Sequence, residues 1–282
     1  MRVAFQGEWG AYSDAAAHVF FGPQVETVPC PNFDAVFDAV TGGSVEAGLV
    51  PIENSAAGSI HRNYDLLQRH ALHIVGETVL RVRHCLLALP GVTLNEVRVV
   101  RSHPQALAQC EHYLAGLGVA VEAAYDTAGA ARDLAASGDR TAAAIASAYA
   151  AKVYGLAIVA EGIEDLASNA TRFLALSRTP VEPDGAAKTS LVCTLPHQPG
   201  ALFRALGAFA LRDVDLLKIE SRPVPERSWE YLFYLDVAGS LSDTPVARAI
   251  EHLREMTPYC RVLGSYPRTV WPASATTADP GP

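Results

Sequence analysis

Short apolar strands alternate with helical stretches over the first 178 residues, and this alternation restricts the fold more than any other feature of the sequence. The strand candidates are Val3 to Phe5, Val25 to Val28, Ala47 to Ile52, Ile74 to Leu89, Val97 to Arg101, Ala120 to Ala124, Ala142 to Ala146, Ile158 to Glu161 and Phe173 to Leu176. The helical candidates are Ser13 to Phe20, Phe33 to Val40, Ser59 to Arg69, Pro104 to Leu117, Thr127 to Ala136 and Ala146 to Tyr154. Because a helix between two strands returns the chain to the start of a parallel neighbour, the pattern predicts βαβ units in an α/β domain.

A different order of elements follows a linker at residues 179–187, which contains two prolines. The predicted elements are strand Thr189 to Leu195, helix Ala201 to Leu211, strands Leu216 to Arg222 and Glu230 to Val237, helix Pro245 to Met256 and strand Arg261 to Ser265. This βαββαβ order predicts an α+β ferredoxin-like domain at residues 188–268, with two helices on one face of an antiparallel sheet. We expect the bare face and open edge of that sheet to pair with a second copy. Residues 269–282 lack periodicity and are predicted to be disordered.

Charge and cysteine content exclude several classes of protein. A net charge of -8 without a run of Lys or Arg argues against binding to nucleic acid or an anionic membrane surface. No apolar stretch approaches the roughly 20 residues of a membrane span, and the start shows no signal or transit pattern, so we expect a cytoplasmic protein. The five cysteines form no C-x-x-C pair and the nine histidines show no ligand spacing. We therefore expect reduced thiols, with Cys110 in the core, and neither a metal nor a cofactor.

Two polar clusters follow the first and third predicted strands, where open α/β sheets place their ligand sites. The turn from Gly7 to Ser13 offers backbone amides to an anion, and Ser13 is expected to cap the following helix. Glu53, Asn54 and Ser55 follow the apolar run from Ala47. Each of these three is also typical of a helix start, but together at the end of a buried strand they predict contacts to a polar substrate.

Two further clusters lie later in the same domain. Ser102 and His103 precede Pro104, which suits the first turn of a helix that Ser102 is expected to cap and that carries Gln109. We interpret His103 as structural, since a lone histidine before a helix is more often structural than catalytic. At the other cluster, Thr171 and Phe173 would share one face of a strand while Arg172 points to the other face.

These clusters, in this order, resemble those of the prephenate dehydratase family. The shared motifs, between residue 1 and about residue 268, are Gly7/Gly10/Ser13, Pro51-Ile52-Glu53-Asn54-Ser55, Ser102-His103 with Gln109, Thr171-Arg172-Phe173, Gly200-Ala201-Leu202-Phe203 and Glu220-Ser221-Arg222-Pro223. The resemblance implies a catalytic domain at residues 1–178 with two α/β lobes, like a type II periplasmic binding protein. Lobe 1 would comprise residues 1–79 and 161–178, and lobe 2 residues 80–160. An ACT regulatory domain would follow.

The resemblance also implies an activity, which is the decarboxylating dehydration of prephenate to phenylpyruvate in phenylalanine biosynthesis. Thr171 would assist departure of the hydroxyl group. The implied substrate contacts are Ser13, Glu53, Asn54, Ser55, Ser102, Gln109, Arg172 and Phe173. L-phenylalanine would act as allosteric effector in a homodimer or homotetramer formed through the ACT domains. The implied effector contacts are Gly200, Ala201, Leu202, Phe203, Glu220, Ser221, Arg222 and Pro223.

Two alternatives remain at this point. Arogenate dehydratases run the same elimination on the transaminated side chain, and the residues do not separate the two substrates. A non-catalytic sensor of amino acids would use the same two-lobed fold, although the Thr171-Arg172-Phe173 triplet favours an enzyme. The sequence departs from the family at Asp215-Leu216-Leu217, where Asn-Leu-Thr or Asn-Leu-Ser is common, so the identity of the effector is open.

Overall fold

The computed structural model describes residues 1–224 and 230–269 of the 282-residue chain. It divides into two compact units. Unit 1 consists of Met1–Ile60 and Thr78–Phe173, and unit 2 consists of His61–Glu77 and the chain from Leu174 onward. Except for Thr269, the predicted disordered tail lies outside the described residues.

Strands and helices alternate in unit 1 much as the sequence predicts. The strands are β1 (Arg2–Gln6), β2 (Glu26–Cys30), β3 (Ala47–Asn54), β4 (Gly58–Ser59), β5 (His73–Arg81), β6 (Cys85–Ala88), β7 (Val99–Ser102), β8 (Ala120–Ala123), β9 (Ala142–Ala146), β10 (Ala157–Glu161), β11 (Ala170–Ser177), β12 (Ala187–Thr194), β13 (Leu216–Pro223), β14 (Tyr231–Ala238) and β15 (Tyr259–Pro267). The helices are α1 (Tyr12–Phe21), α2 (Phe33–Thr41), α3 (His61–Arg69), α4 (Pro104–Ala108), α5 (Glu111–Leu117), α6 (Thr127–Ser137), α7 (Ala148–Tyr154), α8 (Ala201–Ala210) and α9 (Thr244–Met256).

The first sheet has the strand order β2-β1-β3-β11-β5, with β4 paired to β3. Strand β1 runs parallel to both β2 and β3. Phe5 and Leu49 are fully buried, as expected for strands covered on both faces. Gly48 permits close helix packing, since a Cβ atom there would lie 2.9 Å from Val40 Cγ2 of α2. The small residue therefore sets how closely α2 covers the sheet.

The second sheet, with the order β10-β6-β9-β7-β8, forms the other lobe of unit 1. Strand β7 is parallel to β8 and β9, but β6 is antiparallel to both β9 and β10. The prediction of a wholly parallel sheet is therefore wrong for β6 and β10, which carry the chain into and out of this lobe. The alanine-rich β9 is fully buried, with Ala144 facing one core and Ile145 facing the other.

Two predicted elements are each split in the structure. The strand predicted from Ile74 to Leu89 is divided into β5 and β6, which belong to different sheets. The helix predicted from Pro104 to Leu117 is divided into α4 and α5. This break occurs where the Gln109 carbonyl accepts a hydrogen bond from Asp165 N at 2.7 Å instead of from the next helical turn. Long-range hydrogen bonding thus overrides local helical propensity.

Unit 2 contains the predicted βαββαβ fold. Its antiparallel sheet has the order β13-β14-β12-β15. Helices α8 and α9 cover one face, where Phe209 and Ile250 pack with Leu191 and Leu235 of the sheet. The prediction of the ferredoxin-like fold is confirmed.

The other face of this sheet is not bare, and that prediction is wrong. Residues 61–77 belong to the same unit and pack on this face. Tyr234 Oη donates to the Tyr64 carbonyl at 2.7 Å, and Arg222 Nη2 lies 3.1 Å from Asp65 Oδ2. Arg261 donates to the carbonyls of Leu67 and other residues at the C-terminal end of α3, the end that favours a cation. The early segment thus takes the place expected for a second copy.

Candidate active site

A cavity of about 670 Å³ in unit 1 is bordered by residues from both lobes. Gln6 ends β1 and Asn54 ends β3 in the first sheet, while His103 follows β7 in the second. The cavity therefore lies where several strands end, which is the usual position of a ligand site in an open α/β sheet. Five of the predicted site residues line it, namely Ser13, Asn54, Gln109, Thr171 and Phe173.

Glu53 and Arg172 are not among the lining residues. Successive side chains of a strand point to opposite faces, so Asn54 and Thr171 face the cavity while their neighbours point away from it. The Glu53 carboxylate instead forms an ion pair with Arg172, with Oε2 and Nη2 2.8 Å apart. The structure thus brings these two predicted residues together, but on the other face of the strands.

Ser55 and Ser102 also make structural hydrogen bonds outside the cavity lining. Ser55 Oγ accepts from Ala170 N at 2.9 Å, joining the end of β3 to β11. Ser102 Oγ donates to the Ile145 carbonyl at 2.6 Å within the second lobe. Both hydroxyl groups therefore hold the strands that carry the site.

Helix starts at the cavity differ from the predicted caps. Helix α1 begins at Tyr12 after Ala11, without a side-chain cap, so the prediction of Ser13 as cap is wrong. Ser13 instead lies buried in the first turn, where its position suits an anion facing the helix start. At α4 the cap is His103, whose side chain accepts from Gln105 N, and not Ser102. The structural interpretation of His103 is confirmed.

The Asn54 side chain has a defined orientation. Its Oδ1 atom accepts from the backbone N–H groups of Ala56 and Ala57 at 3.0 and 2.9 Å. Because backbone N–H groups only donate, the other end of the amide must be the NH₂ group. That Nδ2 atom donates to Thr171 Oγ1 at 2.9 Å and to Asn169 Oδ1 at 2.8 Å.

The Thr171 hydroxyl is consequently an acceptor toward Asn54. An amide nitrogen cannot accept a hydrogen bond, so Thr171 keeps its own proton available. Among the described residues, none accepts that proton. Thr171 is buried yet lines the cavity, so its O–H group is placed to donate to a bound ligand.

The sequence analysis missed three residues that extend this network. Asn169 Nδ2 donates to Gln109 Oε1 at 3.0 Å, and His84 Nε2 lies 2.9 Å from the same oxygen. The His84 Nδ1 atom lies 3.0 Å from Tyr12 Oη, which also donates to the Arg83 carbonyl at 2.7 Å. Asn169 could have been found by its spacing, since it precedes Thr171 by two residues. His84 has only the weaker signal of a polar residue between two apolar runs.

Burial determines the ionisation of the groups around the cavity. It lowers the pKa of His84 and raises that of Tyr12 well above its ordinary value, so both favour their neutral forms at neutral pH. Burial also raises the pKa of Cys110 to about 12. Cys110 is fully buried, which confirms its place in the core and leaves it unsuited to act as a thiolate.

Replacing Asn54 by Asp is expected to reverse the hydrogen bond to Thr171. A carboxylate would accept the Thr171 proton and would no longer donate to Asn169. Losing one such interaction costs about 1–3 kcal/mol, so we expect turnover to fall about 10- to 100-fold. Steady-state kinetics of Asn54→Asp and Asn54→Ala test this expectation. Equal losses in both variants would contradict the reversal, because Ala cannot accept the proton.

Two kinds of feature are absent from the described part of the chain. No helix within residues 1–224 and 230–269 has the length and apolar character needed to cross a membrane. Over the same ranges, no group of three or more His, Cys, Asp and Glu side chains is arranged to hold a metal ion.

The predicted effector residues of unit 2 lie on two faces of the sheet. Residues 200–203 form the start of α8, where Phe203 is 81% exposed. Glu220 and Arg222 face α3 instead, and Arg222 pairs with Asp65. Ser221 and Pro223 alternate with them and are exposed. The structure therefore separates Glu220 and Arg222 from the other predicted effector contacts.

Together, the fold and the cavity define a two-lobed domain for a small polar ligand, followed by a ferredoxin-like domain. Comparison with family models matches residues 3–181 to prephenate dehydratase and residues 189–255 to the ACT domain. The chain belongs to the prephenate dehydratase family and carries a C-terminal ACT domain.

Individual relatives agree with this assignment. The chain is 52% identical to arogenate dehydratase/prephenate dehydratase 2, chloroplastic, of Arabidopsis thaliana, over 95% of this chain and 73% of the relative. A crystal structure of prephenate dehydratase from Arthrobacter aurescens in complex with L-Phe is 33% identical, with a TM-score of 0.86 over 95% of this chain and 90% of the other. A structure described as GqqA, a novel type of quorum quenching acylase, is 37% identical, with a TM-score of 0.88 over 95% and 98% of the two chains.

Proposed function

We propose that this chain converts prephenate to phenylpyruvate, carbon dioxide and water. The carboxylate on the ring leaves as carbon dioxide, and the electrons of its bond form the last double bond of the aromatic ring. The ring hydroxyl departs with the electrons of its own bond and takes up one proton to become water. Aromatisation drives the reaction, so the site must chiefly assist a poor leaving group.

The orientation of the Thr171 hydroxyl is the observation that carries the proposal. Asn54 donates to Thr171 Oγ1, so the Thr171 proton is directed away from Asn54. A donor held in this way stabilises negative charge on the departing oxygen as that charge develops. Thr171 has no unusual acidity in this role, and the proton that completes the water molecule comes from solvent.

Substrate binding would rely on helix starts rather than on cations. None of the lining residues in the described part of the chain is Lys or Arg. The dianionic substrate would therefore meet the positive end of α1 near Ser13 and the amide NH₂ group of Gln109. A carboxylate with few ionic partners also loses carbon dioxide more readily than a fully hydrated one.

Arogenate is the second candidate substrate, because the Arabidopsis relative carries both activities in its name. Its amino group would replace the keto group of the side chain, far from the bonds that break. The chemistry at Thr171 would be the same. Incubating the full chain separately with prephenate and with arogenate, and measuring phenylpyruvate and phenylalanine, tests both proposals. Formation of neither product would overturn them and favour a non-catalytic sensor.

We further propose that L-phenylalanine binds the ACT domain where two copies meet at α8. The exposed Phe203 supports this placement, since a large apolar side chain on the surface is typical of an interface. Phe203→Glu should therefore give a single-chain mass in light scattering and abolish inhibition by phenylalanine. Leu211→Glu is the control, since Leu211 is equally exposed at the other end of α8. An unchanged mass for Phe203→Glu would contradict this interface, and the wild-type mass would distinguish a dimer from a tetramer.

A cytoplasmic location is also proposed, supported by the free thiols of all five cysteines. The Arabidopsis relative is named as chloroplastic, so the location needs direct measurement. Fractionation of the source cells with antibody detection would test it, and recovery in an organelle or envelope fraction would overturn it.

A further inference from the structure

The hydrogen-bond network beside the cavity continues past the predicted residues to His84, which none of the sequence motifs includes. His84 is 2% exposed, lines the cavity and follows the strand break between β5 and β6. Its two ring nitrogens face Gln109 and Tyr12. The question is what this imidazole contributes to a site whose reacting groups lie elsewhere.

Every amide in the network has one permitted orientation. Asn54 is oriented by two backbone N–H groups, so its NH₂ group faces Asn169 Oδ1. The other end of the Asn169 side chain must then be Nδ2, which donates to Gln109 Oε1. If Gln109 were turned over, its NH₂ group would face the Asn169 NH₂ group, and two donors would meet. The orientation set at the backbone of Ala56 and Ala57 is thus passed along three amides.

This orientation determines the tautomer of His84. Gln109 Oε1 can only accept, so the His84 nitrogen 2.9 Å away must carry a proton. In the neutral ring, which burial favours, the proton is on Nε2 and Nδ1 is an acceptor toward Tyr12. Gln109 Oε1 then accepts two hydrogen bonds, from Asn169 and from His84, and these fix the plane of its amide. The remaining Gln109 NH₂ group is free to face the cavity.

We propose that His84 is a positioning residue, which holds Gln109 by its Nε2–H so that the Gln109 amide meets the substrate in one orientation. This inference rests on the proposed function, because the substrate is the one named there. His84 makes no contact with the reacting bonds in this role. Both the neutral and the charged ring carry a proton on Nε2, so His84 would act without transferring a proton.

Two amide substitutions separate the ring nitrogens. Gln at position 84 places its NH₂ group near the position of Nε2 and can still donate to Gln109. Asn is shorter and reaches only the position of Nδ1, beside Tyr12. Since a misplaced binding group can cost about 10²-fold in rate, we expect His84→Asn to lower kcat/KM about 10- to 100-fold and His84→Gln to stay within about threefold of wild type.

A double-mutant comparison distinguishes positioning from a general structural role. If His84 acts through Gln109, His84→Asn should have no further effect on kcat/KM in a Gln109→Leu background. The pH profile of His84→Gln should superimpose on that of the wild type. Equal losses in both His84 variants, additive losses with Gln109→Leu, or loss of one limb of the pH profile in His84→Gln would each overturn the proposal.

A measurement without turnover keeps this inference separate from the proposed function. Long-range ¹H–¹⁵N correlation spectra of the full wild-type chain, with the His84→Gln spectrum for assignment, report the His84 tautomer. We expect a proton on Nε2 and none on Nδ1 at neutral pH. A ring protonated only on Nδ1 would overturn the inference even if prephenate is turned over. If the expected tautomer is found but wild-type protein forms no product, the proposed function alone fails.

Discussion

Replacing Thr171 by Val is expected to lower kcat about 10² to 10⁴-fold, the range usual for loss of a group that assists proton transfer or hydrogen bonding in the transition state. Val has nearly the shape of Thr but no hydroxyl group, so the departing oxygen of the substrate would lose its donor. Substrate affinity should change little, because the donor matters most as charge develops on that oxygen. Product formation under saturating substrate and calorimetric binding measure the two quantities.

Thr171→Ser is the matched control for this prediction. It retains the hydroxyl and its acceptor role toward Asn54, so we expect it to keep at least about a tenth of wild-type turnover, a loss of no more than about 1.4 kcal/mol. Thermal unfolding should show that all three proteins are folded. If Thr171→Val retained near-normal turnover, the departing hydroxyl would need another donor and the proposed role of Thr171 would be wrong.

The second large effect is expected in unit 2, where Lys188 forms a buried ion pair with Glu77. Lys188 Nζ lies 2.6 Å from Glu77 Oε2 and 3.6 Å from Asp236 Oδ2. Only 6% of the lysine side chain and 2% of the Glu77 side chain are exposed. Lys188→Met would leave two carboxylates close together without their cation. Removing one partner of such a pair costs about 3–5 kcal/mol, so a marked fall in the unfolding midpoint is expected.

The control for this effect is an exposed pair of similar length. Arg101 and Glu122 lie 2.7 Å apart, with side chains 38% and 55% exposed. Arg101→Met should cost only about 0–1 kcal/mol, because water screens the charges. In a Glu77→Leu, Lys188→Met double variant, part of the loss should be recovered, since the buried carboxylate of Glu77 is removed as well. Midpoints measured by denaturant unfolding compare the four proteins, and equal midpoints for Lys188→Met and Arg101→Met would refute the prediction.

The secondary structure could largely be predicted from the sequence because its signals are local. The βαββαβ order of the second domain and most strands of the first follow from periodicity and turn residues. The errors occur where distant contacts intervene. Asp165 interrupts the helix predicted from Pro104 to Leu117, and β5 and β6 belong to different sheets although one apolar run contains both.

Part of the candidate site could be predicted in the same way. Asn54 and Thr171 were identified from polar residues beside buried strands, and both line the cavity. Alternation along a strand also separates Thr171 from Arg172, as expected. No local pattern shows that Glu53 pairs with Arg172, because the two residues are far apart in the sequence and are brought together only by the pairing of their strands.

By itself, the sequence determined the kinds of element, their order and the residue types available for chemistry, since these depend on neighbours a few positions apart. Only the tertiary structure decided which polar groups meet. It placed His84, Gln109 and Asn169 in one network, and it packed residues 61–77 on the sheet that was expected to be bare. The physical reason is that a hydrogen bond or ion pair requires atoms about 3 Å apart, and distances between residues remote in sequence exist only once the chain has folded.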